Sequence, residues 1–364
     1  MSLAGALQFG LFLLLLIAFA ALLGPYLARV FSGERTLLDP ALRPVERLIL
    51  RALGQDARAE MTAGQYATAF LSFSVVCMIV LYVLLRLAVK LGGGPDPAEL
   101  GTPLTVDLAF NTAVSFVTTT TWQAYTGENT MTYAVQTAGL TVHSFLAGAS
   151  GLAVGMAFLR GFVHKRPDAA EPAAATLGNF WVDLVRALLW VLIPGALAGS
   201  IFLITQGVPM NLDPYTRATT LEGAPQVIAQ GPVAALEFIK NLGTDGGGFF
   251  NVNGAHPYAN PTPLVSFVQM LAIAALPAAF PIAFGRMAGR RRVGWTILAA
   301  MLCLFAAGLA VCQIAETGNL EGKEVRFGVA DSVLDALGFL VDTKYTDAFG
   351  LNVTTSPNGW LVKQ

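Results

Sequence analysis

Long apolar runs alternate with short polar connections along this 364-residue chain. Six of the runs, at 7–28, 65–89, 133–159, 179–205, 262–285 and 294–315, have spanning length, given that about 20 residues cross the hydrocarbon core of a bilayer. The first has no lysine or arginine ahead of it and is longer than the apolar part of a signal peptide. It is therefore expected to be a retained helix with its N-terminus outside. Pro277 and Pro281 predict a bend in the fifth.

Two further apolar stretches are too short to cross. One is DLAFNTAVSFVTTTTWQAY at 107–125, and the other is PVAALEFIKNLGTDGGGFFNVN at 232–253. Each reads as a short helix that breaks into a turn of small or hydroxyl residues. Each lies between two spans, so the order span, short helix, turn, span occurs twice. This predicts two units of the same orientation, at 61–166 and 167–292. An N-terminal helix with a basic connection (1–60) precedes them; a sixth helix with an external loop (293–328) and a divergent tail (329–364) follow. Inverted units would suggest a rocking secondary transporter; parallel units suggest a channel-like pore.

The cations support this alternation. Arg29, Arg35, Arg43, Arg47, Arg51 and Arg58 follow the first span; Arg160, Lys165 and Arg166 follow the third; Arg286, Arg290, Arg291 and Arg292 follow the fifth. By the positive-inside rule these connections are cytoplasmic. The first is read as a solvated basic loop. The opposite connections hold few cations: none at 91–131, after the helix breaker at 92–95, and only Arg217 and Lys240 in the second.

Composition narrows the class. Charged residues make up 12% and hydrophobic ones 55%, against about 25% charged in soluble domains. This predicts an all-α integral membrane protein in contact with lipid. The net charge of −1 says nothing about nucleic acid, and no nucleic-acid partner is expected. Cys77, Cys303 and Cys312 lie in apolar runs without metal-like spacing and read as small apolar fillers. Asp183 and Arg186 stand three apart at the start of the fourth span, where they are expected to neutralise each other. His143 reads as a packed, hydrogen-bonded histidine, while His164 and His256 carry no signal.

Irregular backbone at membrane depth survives only when buried in protein or lining a watery cavity. A short helix entering from outside ends with partial negative charge, which favours a cation, and the turn beyond it has carbonyls to offer. Thr118, Thr119, Thr120 and Thr121 add hydroxyls; Gly246, Gly247 and Gly248 permit positive φ. A flexible glycine turn and an ordinary polar threonine loop are the plainer alternatives, and the matched positions favour a pore lining. No Lys-Ser/Thr follows the glycines as a P-loop requires. Trp122, Phe249 and Phe250 are candidates for an aromatic cuff. Asp245 either contacts a cation or is solvated in an outer vestibule, with Lys240 as its candidate partner.

At these residues the chain resembles a known family, the potassium-binding A subunit of the bacterial Kdp potassium-transporting ATPase. NTAVSFVTTTTWQAY (111–125), QTAGLTVHSF (136–145), NLGTDGGGFFNVNGAHPYANPT (241–262) and EGKEVRFG (321–328) carry the resemblance, which extends over about 1–328. It implies a potassium-channel-like fold of membrane-pore-membrane repeats with re-entrant pore helices, of which this chain holds two of the family's four. It also implies K⁺ as the transported ion, selected from outside by backbone carbonyls. The ATP-hydrolysing site would lie on a partner P-type ATPase catalytic subunit, accompanied by small single-span subunits, in the bacterial inner membrane. No covalently bound cofactor is implied.

By this resemblance the K⁺ contacts are Thr118, Thr119, Thr120, Thr121 and Gln123 in the first repeat. In the second they are Gly243, Thr244, Asp245, Gly246, Gly247 and Gly248. Thr119, Thr121 and Asp245 stand where the family usually has asparagine. After Gly328 the family continues into further repeats, whereas residues 329–364 hold no run of spanning length and read as a short amphipathic segment with a disordered end. Two repeats supply two walls of a fourfold filter. A truncated, non-conducting scaffold that binds partner subunits is therefore the alternative expectation.

Overall fold

The computed structural model describes residues 3–57, 59–87, 104–163 and 176–318, with short strands at 344–346, 352–356 and 359–363. Helix α1 (Leu3–Phe31) is the first span, followed by α2 (Asp39–Ala52). The second span, α3 (Ala63–Arg86), opens on a capping box between Thr62 and Gln65. Helices α4 (Val106–Val117) and α5 (Gly127–Thr130) precede the third span, α6 (Val135–Val163). The fourth span is α7 (Phe180–Thr205), which leads to an antiparallel hairpin of β1 (Thr216–Thr219) and β2 (Pro225–Ile228). Then come α8 (Val233–Leu242), α9 (Pro263–Met287) and α10 (Arg291–Gly318).

All six expected spans are helices long and apolar enough to cross a membrane. This is an all-α integral membrane fold. The most buried spans are α6 and α9, and most of α3 and α10 faces outward, as apolar helices in lipid do. Helix α1 lies along α9, where a Cβ at Gly24 would fall 2.5 Å from Ile282 Cβ. Glycine there lets the two backbones close.

A polar girdle ties one end of the bundle together. Arg160 bonds both oxygens of Asp183, at 2.5 and 2.8 Å, and donates to the carbonyls of Phe31 and Leu177. Tyr66 Oη donates to Asp183 and to the Ala153 carbonyl. Asp183 was expected to pair with Arg186. Instead Arg186 reaches Glu46 at 3.0 Å, on a helix the sequence reading took for a solvated loop. Helix α2 turns Glu46 and Leu50 inward, and Trp190 Nε1 donates to the second Glu46 oxygen. The correction has a simple cause: Leu42, Glu46 and Leu50 recur at helical spacing and give the basic stretch one face to bury.

Two spans contain π-helical turns, Val135–Thr141 in α6 and Ala187–Leu192 in α7. The second precedes Pro194, which has no N–H to give the Trp190 carbonyl four residues back. Tyr26 Oη donates to that carbonyl at 2.6 Å. Past the first, His143 is buried and bonded to the carbonyls of Gly139 and Cys77, as expected. Of the cysteines only Cys77 is buried; Cys303 and Cys312 lie on an exposed face of α10.

The tail also differs from expectation. β3 (Lys344–Thr346), β4 (Asn352–Ser356) and β5 (Gly359–Lys363) pair antiparallel where an amphipathic segment with a disordered end was expected. The breaker at 92–95, Arg58, His164, Lys165, Arg166 and the motif at 321–328 lie outside the described residues.

Candidate functional site

Helix α4 is capped by Thr105 and ends at Thr118, and α8 ends at Gly243. Beyond these ends the two turns follow the same path in the same register, offset by the 125 residues that separate Gln123 from Gly248. Thr118 N bonds Val114 O, and Gly243 N bonds Ile239 O. Thr121 N reaches back to Ser115 O, and Gly246 N to Lys240 O. Thr119 and Thr244 share φ of 59°, while Thr121 and Gly246 also have positive φ, at 52° and 106°. Positive φ is costly for a β-branched residue. Three threonines held so is strain concentrated at one place.

The turns are joined to each other. Thr121 Oγ1 donates to the Asp245 carbonyl at 2.6 Å. Gln123 donates through Nε2 to the Gly248 carbonyl at 3.0 Å, and its Oε1 accepts from Gly248 N at 2.9 Å. Gln136, at the start of α6, donates to the Phe249 carbonyl, and Asn253 Oδ1 accepts from Gly247 N. A Cβ at Gly127 would fall 2.2 Å from the Phe249 carbonyl oxygen, so the chain beyond the first turn packs directly on the second.

Each expected site residue lies in or beside these turns, but their carbonyls are not equivalent. Those of Asp245, Gly247 and Gly248 accept from Thr121, Lys240 and Gln123, respectively. Among the described residues, no donor reaches the carbonyls of Thr119, Thr120, Thr121, Gly243, Thr244 or Gly246. Thr118, Thr120 and Thr244 are exposed, so the described chain leaves one side of each turn open. Carbonyl and hydroxyl oxygens are hard donors suited to a group-one cation.

Several expectations change here. Lys240 does not pair with Asp245. Its ammonium forms an ion pair with Glu237 Oε2 at 2.6 Å and donates to the Gly247 carbonyl at 2.9 Å. Glu237 Oε1 accepts from Phe249 N at 3.1 Å. The pair is fully inside the protein, at 0% and 1% exposure. The reason is geometric: Glu237 and Lys240 lie on one face of α8, i to i+3, turned toward the returning limb of the loop. Asp245 is 7% exposed, and among the described residues neither carboxylate oxygen has a hydrogen-bond partner, so the solvated vestibule reading fails.

Phe249 and Phe250 are buried and meet edge to face at 5.0 Å, as a cuff would, but Trp122 is 79% exposed. His256, which carried no signal, stacks on Phe250 at 3.9 Å. Glu237 and Gln136 lie in stretches singled out above but were assigned no role. An E-x-x-K pair inside an otherwise apolar short helix was the available signal for Glu237. For Gln136 the signal was its place at the head of QTAGLTVHSF (136–145), one of the stretches that carry the family resemblance.

Comparison with known proteins agrees with this architecture. The family described as "Potassium-transporting ATPase A subunit" matches residues 10–345. Relatives named potassium-transporting ATPase potassium-binding subunit include one from Methylorubrum extorquens, 49% identical over 93% of this chain and 60% of its own length. Those from Methylobacterium nodulans and Bradyrhizobium diazoefficiens are 50% and 47% identical over the same shares. The chain thus spans about 60% of the length of the curated relatives it matches. It belongs to the potassium-transporting ATPase A subunit family.

Proposed function

We propose that this chain provides part of the K⁺-selecting path of an ATP-driven import complex. The cation would be held by the unclaimed carbonyls of Thr119, Thr120, Thr121, Gly243, Thr244 and Gly246. The observation that carries this reading is the shared register of the two turns. Short helices direct their negative ends toward the same region, and the strained threonines and glycines there keep carbonyls free of protein donors. A cation giving up its hydration shell needs such oxygens, fixed in advance.

On this reading, partner subunits and a further pair of repeats complete the ring, and ATP hydrolysis takes place on another subunit. The cluster of Arg43, Arg160, Arg186 and Arg286 at one end of the bundle supports a cytoplasmic position for that end. The two turns and the N-terminus then face the extracytoplasmic side of the inner membrane.

The test is equilibrium binding of ⁸⁶Rb⁺ to the chain in lipid nanodiscs, alone and with partner subunits, in competition with K⁺ and Na⁺. Saturable Rb⁺ binding displaced by K⁺ in preference to Na⁺ is expected. Partner assembly without any such binding would favour a non-conducting scaffold, a reading supported by the exposed faces of Thr118, Thr120 and Thr244.

A further inference from the structure

The shared register extends to a side-chain device. Ser115 Oγ, on the last turn of α4, donates at 3.1 Å to the carbonyl of Trp122, seven residues ahead. Lys240 Nζ, on the last turn of α8, donates at 2.9 Å to the carbonyl of Gly247, also seven residues ahead. Ser115 and Lys240 are equivalent under the 125-residue offset, as are Trp122 and Gly247. One repeat uses a hydroxyl and the other an ammonium, and both hold the same carbonyl.

We infer that Ser115 and Lys240 are positioning residues for cation selection, which draw the fifth carbonyl past each short helix back toward the protein and so fix how far the cation-facing segment extends. This rests on the reading of the turns as a K⁺ path. A carbonyl held by a donor on its own helix cannot swing inward to follow a smaller ion. The oxygens just before it, at Thr121 and Gly246, are left at a set distance. Discrimination against Na⁺ then depends on the donor, and not only on the glycines and threonines of the turn.

Lys240 carries a further requirement. An ammonium beside a cation path would repel the cation, and Glu237 neutralises it at 2.6 Å while anchoring Phe249 N. A Cβ at Gly248 would meet Glu237 Oε1 at 2.8 Å and Lys240 Nζ at 3.0 Å. The pair therefore presses directly on the returning limb. Ser115 is neutral and needs no such partner.

The experiment measures Na⁺ competition against ⁸⁶Rb⁺ bound to the chain in nanodiscs with its partner subunits. The variants are Ser115→Ala, Ser115→Thr and the neutral double variant Glu237→Gln/Lys240→Met. Removing one partner alone would strand a buried charge and unfold the protein; removing both leaves the core neutral. Ser115→Ala and the double variant should each lose about tenfold in Rb⁺-over-Na⁺ discrimination, roughly what one hydrogen bond to the carbonyl contributes. Ser115→Thr, which keeps the hydroxyl, should retain it. The number of Rb⁺ sites at saturation should stay the same, which separates positioning from general damage. If the double variant fails to fold, Ser115→Ala and Ser115→Thr decide the matter. Folded donor-less variants with unaltered discrimination would overturn the inference while leaving the K⁺-path reading intact. Wild-type protein that binds no Rb⁺ would overturn both.

Discussion

Gln123 and Gly248 occupy the same position in two successive turns, and they bond to each other. The Gln123 amide gives a hydrogen to the Gly248 carbonyl and takes one from the Gly248 nitrogen, so one side chain stands in for a strand pair. Its Nε2 also reaches Tyr125 Oη at 2.9 Å. The two turns are thereby locked as a single unit.

Replacing Gln123 with Ala should therefore uncouple the turns. Gly248 N and O lose their partners in a half-buried place, at a cost of about 1–3 kcal/mol. Thermal unfolding in detergent should show the loss. Gln123→Glu should be nearly as damaging, because it places a carboxylate against the Gly248 carbonyl where a donor stood. Equal stability of wild type and Gln123→Ala would mean that the two turns hold independently.

Asp245 predicts the opposite sign. A buried carboxylate with neither oxygen hydrogen-bonded is an expensive group. Asp245→Asn removes the charge at almost the same volume and should raise the unfolding temperature, by a gain of about 1–3 kcal/mol. A loss of stability on this substitution would show that the carboxylate has a binding partner the bundle alone does not supply.

Glu128 offers a pH test outside the spans. It lines an open cavity of about 690 Å³ with Tyr215, His256 and Tyr258, and among the described residues its buried Oε2 has no partner. Burial pushes its carboxyl above the ordinary value of 4.5. The folded state thus holds this proton more tightly than the unfolded one. The stabilisation is complete below 4.5 and is lost as pH rises through the higher folded value. Unfolding temperature followed from acid to neutral pH should fall through that window in wild type and run flatter in Glu128→Gln. Parallel curves would remove Glu128 from the pH response.

The sequence carried the fold further than the site. Apolar length alone places all six spans, because a bilayer sets one dimension for every crossing. Both turns were also legible, since Thr118–Thr121 and Gly246–Gly248 are unusual residues for the ends of apolar helices. What failed was pairing. Lys240 lies five positions before Asp245, and nearness along the chain suggested a partner. The helical face instead gave Lys240 to Glu237, and the turn carried Asp245 away. Arg186 erred in the same way, taking Glu46 from a helix whose own existence was hidden under its arginines. Trp122 is exposed in this chain while Phe249 and Phe250 are buried, because size alone does not say which way a turn faces.

The donor at Ser115 and Lys240 also bears on what makes two turns alike. A hydroxyl and an ammonium share no charge, length or volume, and no scoring of one half against the other would match them. Yet each delivers a hydrogen to the same oxygen of the same backbone trace. The bond is common to both turns, while the residue that makes it differs. The likeness of the two turns is therefore written more legibly in their main-chain carbonyls than in their letters.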